Sequence, residues 1–545
     1  MSLELRMGAF DIPAERVRTA ALVGGIAFFG LLVRIGWLLW HGVGEITWDG
    51  AEYARLAQNL VSGGGYTGIR GHTQFVFPPL YSLAIAALLP LTGDAERAGI
   101  IVSLVAGAGF IVAVYAIGAQ HFGRRVGLVA ALLAALLPFV VQLATVVLAD
   151  TLFLALAAGG LALLGRTVRL RRLSDAVGCG ALFGLAYLTR PEGLLLAATA
   201  VLCVAALGAL RPRALVLAAC VAAPFCILAA PYIGFLSVHA GHVRIEGKSL
   251  LNLDIGLRMN AGMSYTVAAD AIDAQLRQLG PELDDGYYFE PSGRRAPSTL
   301  TVLGFAASNS VRHLREIANV LRSRLCGTIL VTLLMLAGIA IGPWNRERLA
   351  GEVVLWAYAA TVFVALGSVY HFWERYAVGF MPLIVVWAAR GASIAGDAVA
   401  QRLGSRWWRA VPVALTAILL CALLFATRER FTDDAPTVFE KTAGTWLAAH
   451  DRAGDRILAI SDQSVYYARG IWAMLPAAPD ASVALRYVAQ QKPDYVVLNR
   501  EYAAERPYVV AWLDHGIPDR RAQLVDRIDS GGVPVVAIYR WSPIR

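Results

Sequence analysis

Charge is scarce in this 545-residue chain: Asp, Glu, Lys and Arg make up 16% of it, where a soluble protein carries about a quarter. Hydrophobic residues make up 57%, and the mean hydropathy is +0.58, which excludes a purely soluble globular protein. Lysine is nearly missing, with only Lys248, Lys441 and Lys492, so the net charge of +9 is carried by arginine. The arginines cluster in short loops between apolar runs, where positive charge sets membrane orientation, and nothing in their arrangement calls for a nucleic-acid partner. The six cysteines (Cys179, Cys203, Cys220, Cys226, Cys326 and Cys421) lie in apolar segments with no CxxC pair, which argues against a disulfide framework or a zinc site. The C-terminal stretch 428–545 has no nucleotide-binding glycine motif, and Gly63-Gly64-Gly65 is not followed by the GK[ST] of a phosphate loop. The first apolar run, 20–40, is too long for a signal-peptide core and lacks a small-residue cleavage site behind it. It reads as a retained span.

What is present is a series of apolar runs. After 20–40 come 98–119, 126–148, 151–164, 176–188, 194–210 and 214–238, then 327–341, 353–370, 377–395 and 411–426. The run from Pro79 to Leu91 is short for a span. If it dips into the outer side without crossing, five basic loops fall on one face: Arg124-Arg125, 166–172, 211–213, 346–348 and 402–409. The expectation is a polytopic α-helical membrane protein with about eleven spans, N-terminus inside and C-terminus outside. Residues 1–427 form the membrane domain, with outer loops at 41–77 and 239–325. Composition changes sharply at 428–545, where short strands over 456–460, 494–498 and 533–541 alternate with helices over 436–450 and 482–490. That segment reads as a small α/β domain outside the membrane.

One stretch after the first span gathers chemistry. Asp49 and Glu52 stand three apart at the start of an amphipathic helix carrying Tyr53, Leu56, Ala57 and Leu60, and Gly63-Gly64-Gly65 ends it. Asp49 reads as the helix cap, with Glu52 as an acidic partner in a capping-box variant. A single Asp in that position is commonly only a solvated cap. The wider layout argues for more. With eleven spans, Asp150, Arg190-Pro191-Glu192, His371, Glu374 and Arg375 all collect on the outer side, while Arg34 sits in the outer part of the first span. Outer-face carboxylates and arginines converging at the membrane boundary mark a site. The loop 239–325 carries an Arg-rich amphipathic stretch at 311–324 and is long enough to cover it.

The chain resembles the GT-C superfamily of integral-membrane glycosyltransferases, nearest to the family-39-like branch of protein O-mannosyltransferases and lipid A aminoarabinose transferases. The resemblance covers most of the chain. It rests on Trp48-Asp49-Gly50-Ala51-Glu52-Tyr53, Phe77-Pro78-Pro79-Leu80-Tyr81, His121-Phe122-Gly123-Arg124-Arg125, Ala149-Asp150-Thr151, Leu188-Thr189-Arg190-Pro191-Glu192-Gly193 and Glu374-Arg375-Tyr376, in that order and spacing. It implies a polyprenyl-phosphate sugar donor, a lipid, glycan or protein acceptor, contact with membrane lipids, and inversion at the anomeric carbon. It also implies Asp49 as general base, Asp150 as a second acidic catalytic-site position that orients substrate or the base region, and Arg375 stabilising the leaving phosphate, with Arg190 and Arg34 as further candidates for that task. Glu52, Tyr53, Tyr81, Glu192, His371 and Glu374 become candidate substrate contacts. No cofactor is expected, and metal dependence varies across the superfamily. Arginine-rich composition without eukaryotic accessory domains points to a bacterial inner membrane, with the C-terminal domain in the periplasm. A competing class is a transporter or flippase of a lipid-linked glycan, which would place polar residues and broken helices near the bilayer midplane.

Overall fold

The computed structural model describes residues 14–265, 267–268, 299–320, 326–342, 344–367, 374–403, 423, 438–450, 452–478, 480–503 and 506–542. His371, the acidic and aromatic segment at 282–289 and nearly all of the expected span 411–426 lie outside the described residues.

The membrane part is a helical bundle: α1 (Ala14–His41), α2 (Trp48–Ser62), α3 (Leu80–Thr92), α4 (Ala95–Phe122), α5 (Arg124–Leu136), α6 (Pro138–Leu143), α7 (Asp150–Leu170), α8 (Leu173–Tyr187), α9 (Glu192–Leu207), α10 (Pro212–Ala240) and α11 (Ser249–Asn260). Helices Thr299–Val320, Ile329–Ala340, Arg346–Gly367 and Met381–Leu403 follow. Among the described residues, six stretches are long and apolar enough to cross a bilayer, and four more apolar helices are shorter. The outward faces stay apolar: Phe28, Leu39 and Trp40 on α1 are exposed. In water that would be costly, but lipid is the solvent such faces suit, and a helix satisfies its own backbone there. Helix α3 has 13 residues, so it extends ~20 Å and falls short of a ~30 Å hydrocarbon core.

The expected span 126–148 is not one helix. Pro138 has no N–H to give the Ala134 carbonyl, so α5 stops and α6 restarts with Pro138 at its first position. Arg34 repairs the break from inside. Its guanidinium, wholly buried, donates to the carbonyls of Ala134 (3.2 Å), Ala135 (3.2 Å) and Gly30 (2.8 Å). The amphipathic stretch expected at 311–324 starts earlier, at Thr299.

The C-terminal domain carries a five-stranded sheet in the order β2-β1-β3-β5-β4, with β1 (Arg456–Ala459), β2 (Ile471–Met474), β3 (Tyr495–Asn499), β4 (Ala522–Ser530) and β5 (Val533–Trp541). β1 pairs in parallel with β2 and β3, and β5 pairs antiparallel with β3 and β4. The period-two alternation of the strands splits the core. Ile457, Val497, Val536 and Ile538 on one face join Ile46, Tyr53, Ala57, Ile85 and Ile100 of the membrane part. Leu458, Val496, Leu498, Ala537 and Tyr539 on the other face pack with Trp512 and Val488 of the domain's own helices. The sheet is therefore docked on the segment 41–77 and the helices after it through a shared apolar core. β2 and β4 went unread in the sequence: Ile471–Met474 is only four residues long, and β4 alternates weakly with most of its residues partly exposed.

Candidate functional site

The site starts from a local choice at the head of α2. Asp49 was expected to cap this helix, but Thr47 does so: its hydroxyl accepts from the Gly50 N–H at 3.0 Å and donates to the Val147 carbonyl at 2.8 Å. Asp49 becomes the second helical residue, its carboxylate released from capping. Gly50 permits this docking, because a Cβ there would lie 2.5 Å from both the Thr47 hydroxyl and the Val147 carbonyl. Gly63, in the left-handed conformation at φ 83°, ends the helix.

Asp49 forms an ion pair with Arg375, which a short 3₁₀ segment (Glu374–Phe380) delivers ahead of the helix Met381–Leu403. Beside it stands a second ionic group. Asp150 begins α7, and Arg190 of the tight turn before α9 bonds both Asp150 and Glu192, the latter at 2.8 Å. The third cation is Lys248, whose ammonium makes no ion pair among the described residues and stands 5.9 Å from the Phe77 ring. Burial raises the Asp49 carboxyl, but Arg375 and Lys248 outweigh it and hold the group below the usual aspartate range. Burial lowers the Lys248 ammonium, with Arg375 and Arg190 adding to the effect, while Asp49 and Glu192 oppose it. The neighbouring carboxylates hold Arg190 firmly charged against the burial that disfavours its cation.

Two cavities meet here. One of about 320 Å³ is lined by Tyr53, Asp150, Arg190, Glu192, Leu194, Leu195 and Ile245. The other, of about 940 Å³, runs past Trp37, His41, Glu52, Arg70, Gln74 and Tyr265 to Asp462, Trp472 and Arg506 of the C-terminal domain. Asp49, Arg375, Lys248, Tyr376, Asn252, Val76 and Phe77 line both. Asp49 thus stands where the two spaces join. Such a junction can hold a nucleophile on one side and an electrophile bearing an anionic leaving group on the other.

The expected residues divide. Asp49, Asp150, Arg190, Glu192, Arg375 and Tyr53 gather at the junction and the smaller cavity. Glu52 lines the larger cavity, but its carboxylate is engaged in shaping the loop, accepting from the Gln74 amide and from the Ile69 N–H at 3.0 Å. Tyr81 and Arg34 line neither cavity. The Tyr81 hydroxyl lies 3.0 Å from the Gly99 carbonyl and 2.9 Å from the Ser103 hydroxyl, while Arg34 serves the broken helix. Glu374 likewise lines neither cavity. Sequence reasoning missed Lys248, Tyr376 and Asp462. Lys248 carried a signal, being one of three lysines in a chain that otherwise uses arginine. Asp462 carried none. Among the described residues no three His, Cys, Asp or Glu side chains are grouped to hold a metal ion.

Comparison with known proteins follows the same outline. Residues 77–233 match the family model of dolichyl-phosphate-mannose-protein mannosyltransferases. No curated protein matches the chain. Among solved structures, the apo oligosaccharyltransferase of Archaeoglobus fulgidus superposes with a TM-score of 0.60 at 14% identity, covering 91% of this chain and 71% of its own. Apo ArnT from Cupriavidus metallidurans gives 0.56 at 15% identity, covering 95% of this chain and 98% of its own. The same ArnT bound to undecaprenyl phosphate gives 0.55 at 16% identity, with coverage of 96% and 98%. The chain thus has the GT-C fold of these membrane glycosyltransferases, and its residues 77–233 carry the pattern of the mannosyltransferase family model.

Proposed function

We propose that this protein is an inverting glycosyltransferase that moves a sugar from a polyprenyl-phosphate donor to an acceptor hydroxyl at the periplasmic face of a bacterial inner membrane. The observation that carries the reading is the position of Asp49 at the junction of two cavities, paired with Arg375 and beside Lys248. The fold relatives support a lipid-phosphate donor: ArnT was solved with undecaprenyl phosphate, and an archaeal oligosaccharyltransferase with a dolichol-phosphate and an inhibitory peptide.

In this mechanism the donor's sugar phosphate occupies the smaller cavity. Arg375 and Lys248 take the phosphate, and Arg190, fixed by Asp150 and Glu192, lends a further positive charge. The Asp49 carboxylate accepts the proton of the acceptor hydroxyl. The oxygen attacks the anomeric carbon from the face opposite the phosphate, and the carbon–oxygen bond to phosphate breaks. Its electron pair stays on the departing phosphate, so the configuration inverts. A sugar hydroxyl is a poor nucleophile and needs such a base, while the leaving phosphate gains charge that guanidinium N–H donors stabilise. Asp49 by itself is too acidic to be a strong base. Donor phosphate drawing Arg375 and Lys248 toward itself removes the charges that depress it, so Asp49 gains basicity as the donor arrives.

The test is transfer by the purified full chain from a panel of undecaprenyl-phosphate sugars, followed as release of undecaprenyl phosphate. Asp49→Asn keeps the shape and loses the base, so turnover should fall ~10²–10⁴-fold while donor affinity holds. Donor binding without turnover in the wild type, unaltered by the substitution, would instead favour a flippase or transporter.

A further inference from the structure

Part of the larger cavity's wall belongs to the soluble domain, and there one oxygen of the Asp462 carboxyl has no partner among the described residues. Asp462 precedes the short helix Gln463–Ala468 at the capping position, yet its side chain makes no cap bond. The Ser461 hydroxyl takes over instead, accepting from the Gln463 N–H at 3.1 Å. This repeats the arrangement at Thr47 and Asp49, where a hydroxyl caps and an aspartate is freed. Gln463 beside it is fully engaged: its amide nitrogen donates to the Ile46 carbonyl, and its oxygen accepts from Ser461 (2.8 Å) and Tyr502 (3.1 Å). Asp462 is only 5% exposed, and its Oδ1 has no hydrogen-bond partner among the described residues. A buried polar atom left unpaired in that way is costly unless a ligand completes it.

We propose that Asp462 is an acceptor-binding residue, hydrogen-bonding a hydroxyl of an uncharged, polyhydroxylated acceptor (a glycan) that lies along the larger cavity and presents its attacking hydroxyl to Asp49. The inference rests on the transferase reading for the identity of the bound molecule as acceptor. Two observations select a neutral glycan. The larger cavity is rich in carboxylates, with Glu45, Asp49, Glu52, Glu96 and Glu501 besides Asp462, so an anionic acceptor would be repelled. Of its cations, Lys248 and Arg375 sit at the end shared with the donor side, Arg70 lies over the Trp472 ring at 4.3 Å, and the Arg506 Nε is bonded to the Leu475 carbonyl at 3.1 Å. Burial also pushes the Asp462 carboxyl well above the usual aspartate range, with the charges of Glu52 and Asp49 adding to it and Arg70 opposing. Held toward its protonated form, the carboxyl is better able to donate as well as accept, as sugar hydroxyls do.

The experiment is calorimetric binding of neutral trisaccharides of glucose, galactose and mannose, and of their 6-phosphates, to the full chain in nanodiscs, with undecaprenyl phosphate titrated separately. Asp462→Ala should weaken the best neutral trisaccharide about tenfold, the loss of one well-made hydrogen bond. Asp462→Asn, which still donates and accepts, should stay within about threefold. Undecaprenyl phosphate affinity should not move in either variant. Binding of no neutral trisaccharide, tighter binding of the phosphorylated set, or equal affinity in wild type and Asp462→Ala would overturn the assignment. If trisaccharide binding depends on Asp462 while no donor sugar is ever transferred, the transferase reading fails and the subsite stands.

Discussion

At the scale of single residues, the site is built by releasing side chains from local duties. The Thr47 hydroxyl caps its helix, the Ser461 hydroxyl accepts from the Gln463 N–H ahead of another, and Asp49 and Asp462 line the cavity. Asp49 then takes its acidity from Arg375. That coupling has a sign that can be measured. Proton abstraction needs the carboxylate, so in the wild type the acid limb of kcat/KM should lie below the ordinary aspartate range, where Arg375 and Lys248 hold the group. Arg375→Ala removes the largest lowering influence and leaves burial, which raises the carboxyl. Its residual kcat/KM, reduced ~10²–10³-fold by loss of the phosphate contact, should therefore fall off at a higher pH than in the wild type. A pH–rate profile with an unmoved acid limb would separate Arg375 from Asp49.

At the scale of elements, the break between α5 and α6 and its repair by Arg34 explain an arginine in a membrane helix without assigning it to substrate. The Ala134 and Ala135 carbonyls at the break receive the Arg34 guanidinium. Arg34→Met keeps the length and removes the donors. We expect a loss of ~2–3 kcal/mol, seen as a lower thermal midpoint in detergent, with the KM for donor unchanged in the surviving protein. A raised donor KM at wild-type stability would return Arg34 to the phosphate site. Helix α2 shows the same economy. Its buried face from Gly50 to Ala57 packs inward, while Arg55, at its middle, donates to the carbonyls of Gly470 (3.0 Å), Val465 (3.3 Å) and Tyr466 (3.3 Å) of the soluble domain.

At the scale of the whole molecule, the membrane part and the soluble domain share one core and one cavity, so the stability of the domain bears on the site. Glu440 is buried between them. The Asn499 amide and the Ser464 N–H donate to it at 2.6 and 3.2 Å, and the Glu45 side chain accepts from its backbone N–H at 2.9 Å. Burial pushes its carboxyl up to about 7. The folded state therefore holds this proton more tightly than the unfolded chain, whose glutamate titrates near ~4.3. The stabilisation is complete below that value and is lost as pH rises toward about 7, on the order of 3 kcal/mol in all. Thermal unfolding of the full chain followed by tryptophan fluorescence should show the midpoint dropping between pH 5 and 8. Glu440→Gln should flatten that drop. An equal drop in the variant would mean that another group carries it.

Much of this was legible in the sequence because it depends on neighbours along the chain. Low charge, long apolar runs and the positions of arginine determined a polytopic membrane protein. Short apolar runs at 456–460, 494–498 and 533–541, alternating with helical stretches, determined three strands of the C-terminal domain, and the order and spacing of Asp49, Asp150, Arg190 and Arg375 marked the residues that meet. Tertiary structure alone decided what each of them does. Thr47 won the cap because the Val147 carbonyl accepts its hydroxyl from 100 residues away. Arg34 turned inward because a proline in another helix left carbonyls to satisfy, and no pattern within α1 encodes that. Asp462 entered the cavity because the sheet docks on the segment 41–77 through a core that neither part holds alone. Periodicity and composition fix which face of an element is buried, but only packing fixes what that face is buried against, and the chemistry of this site arises from that second choice.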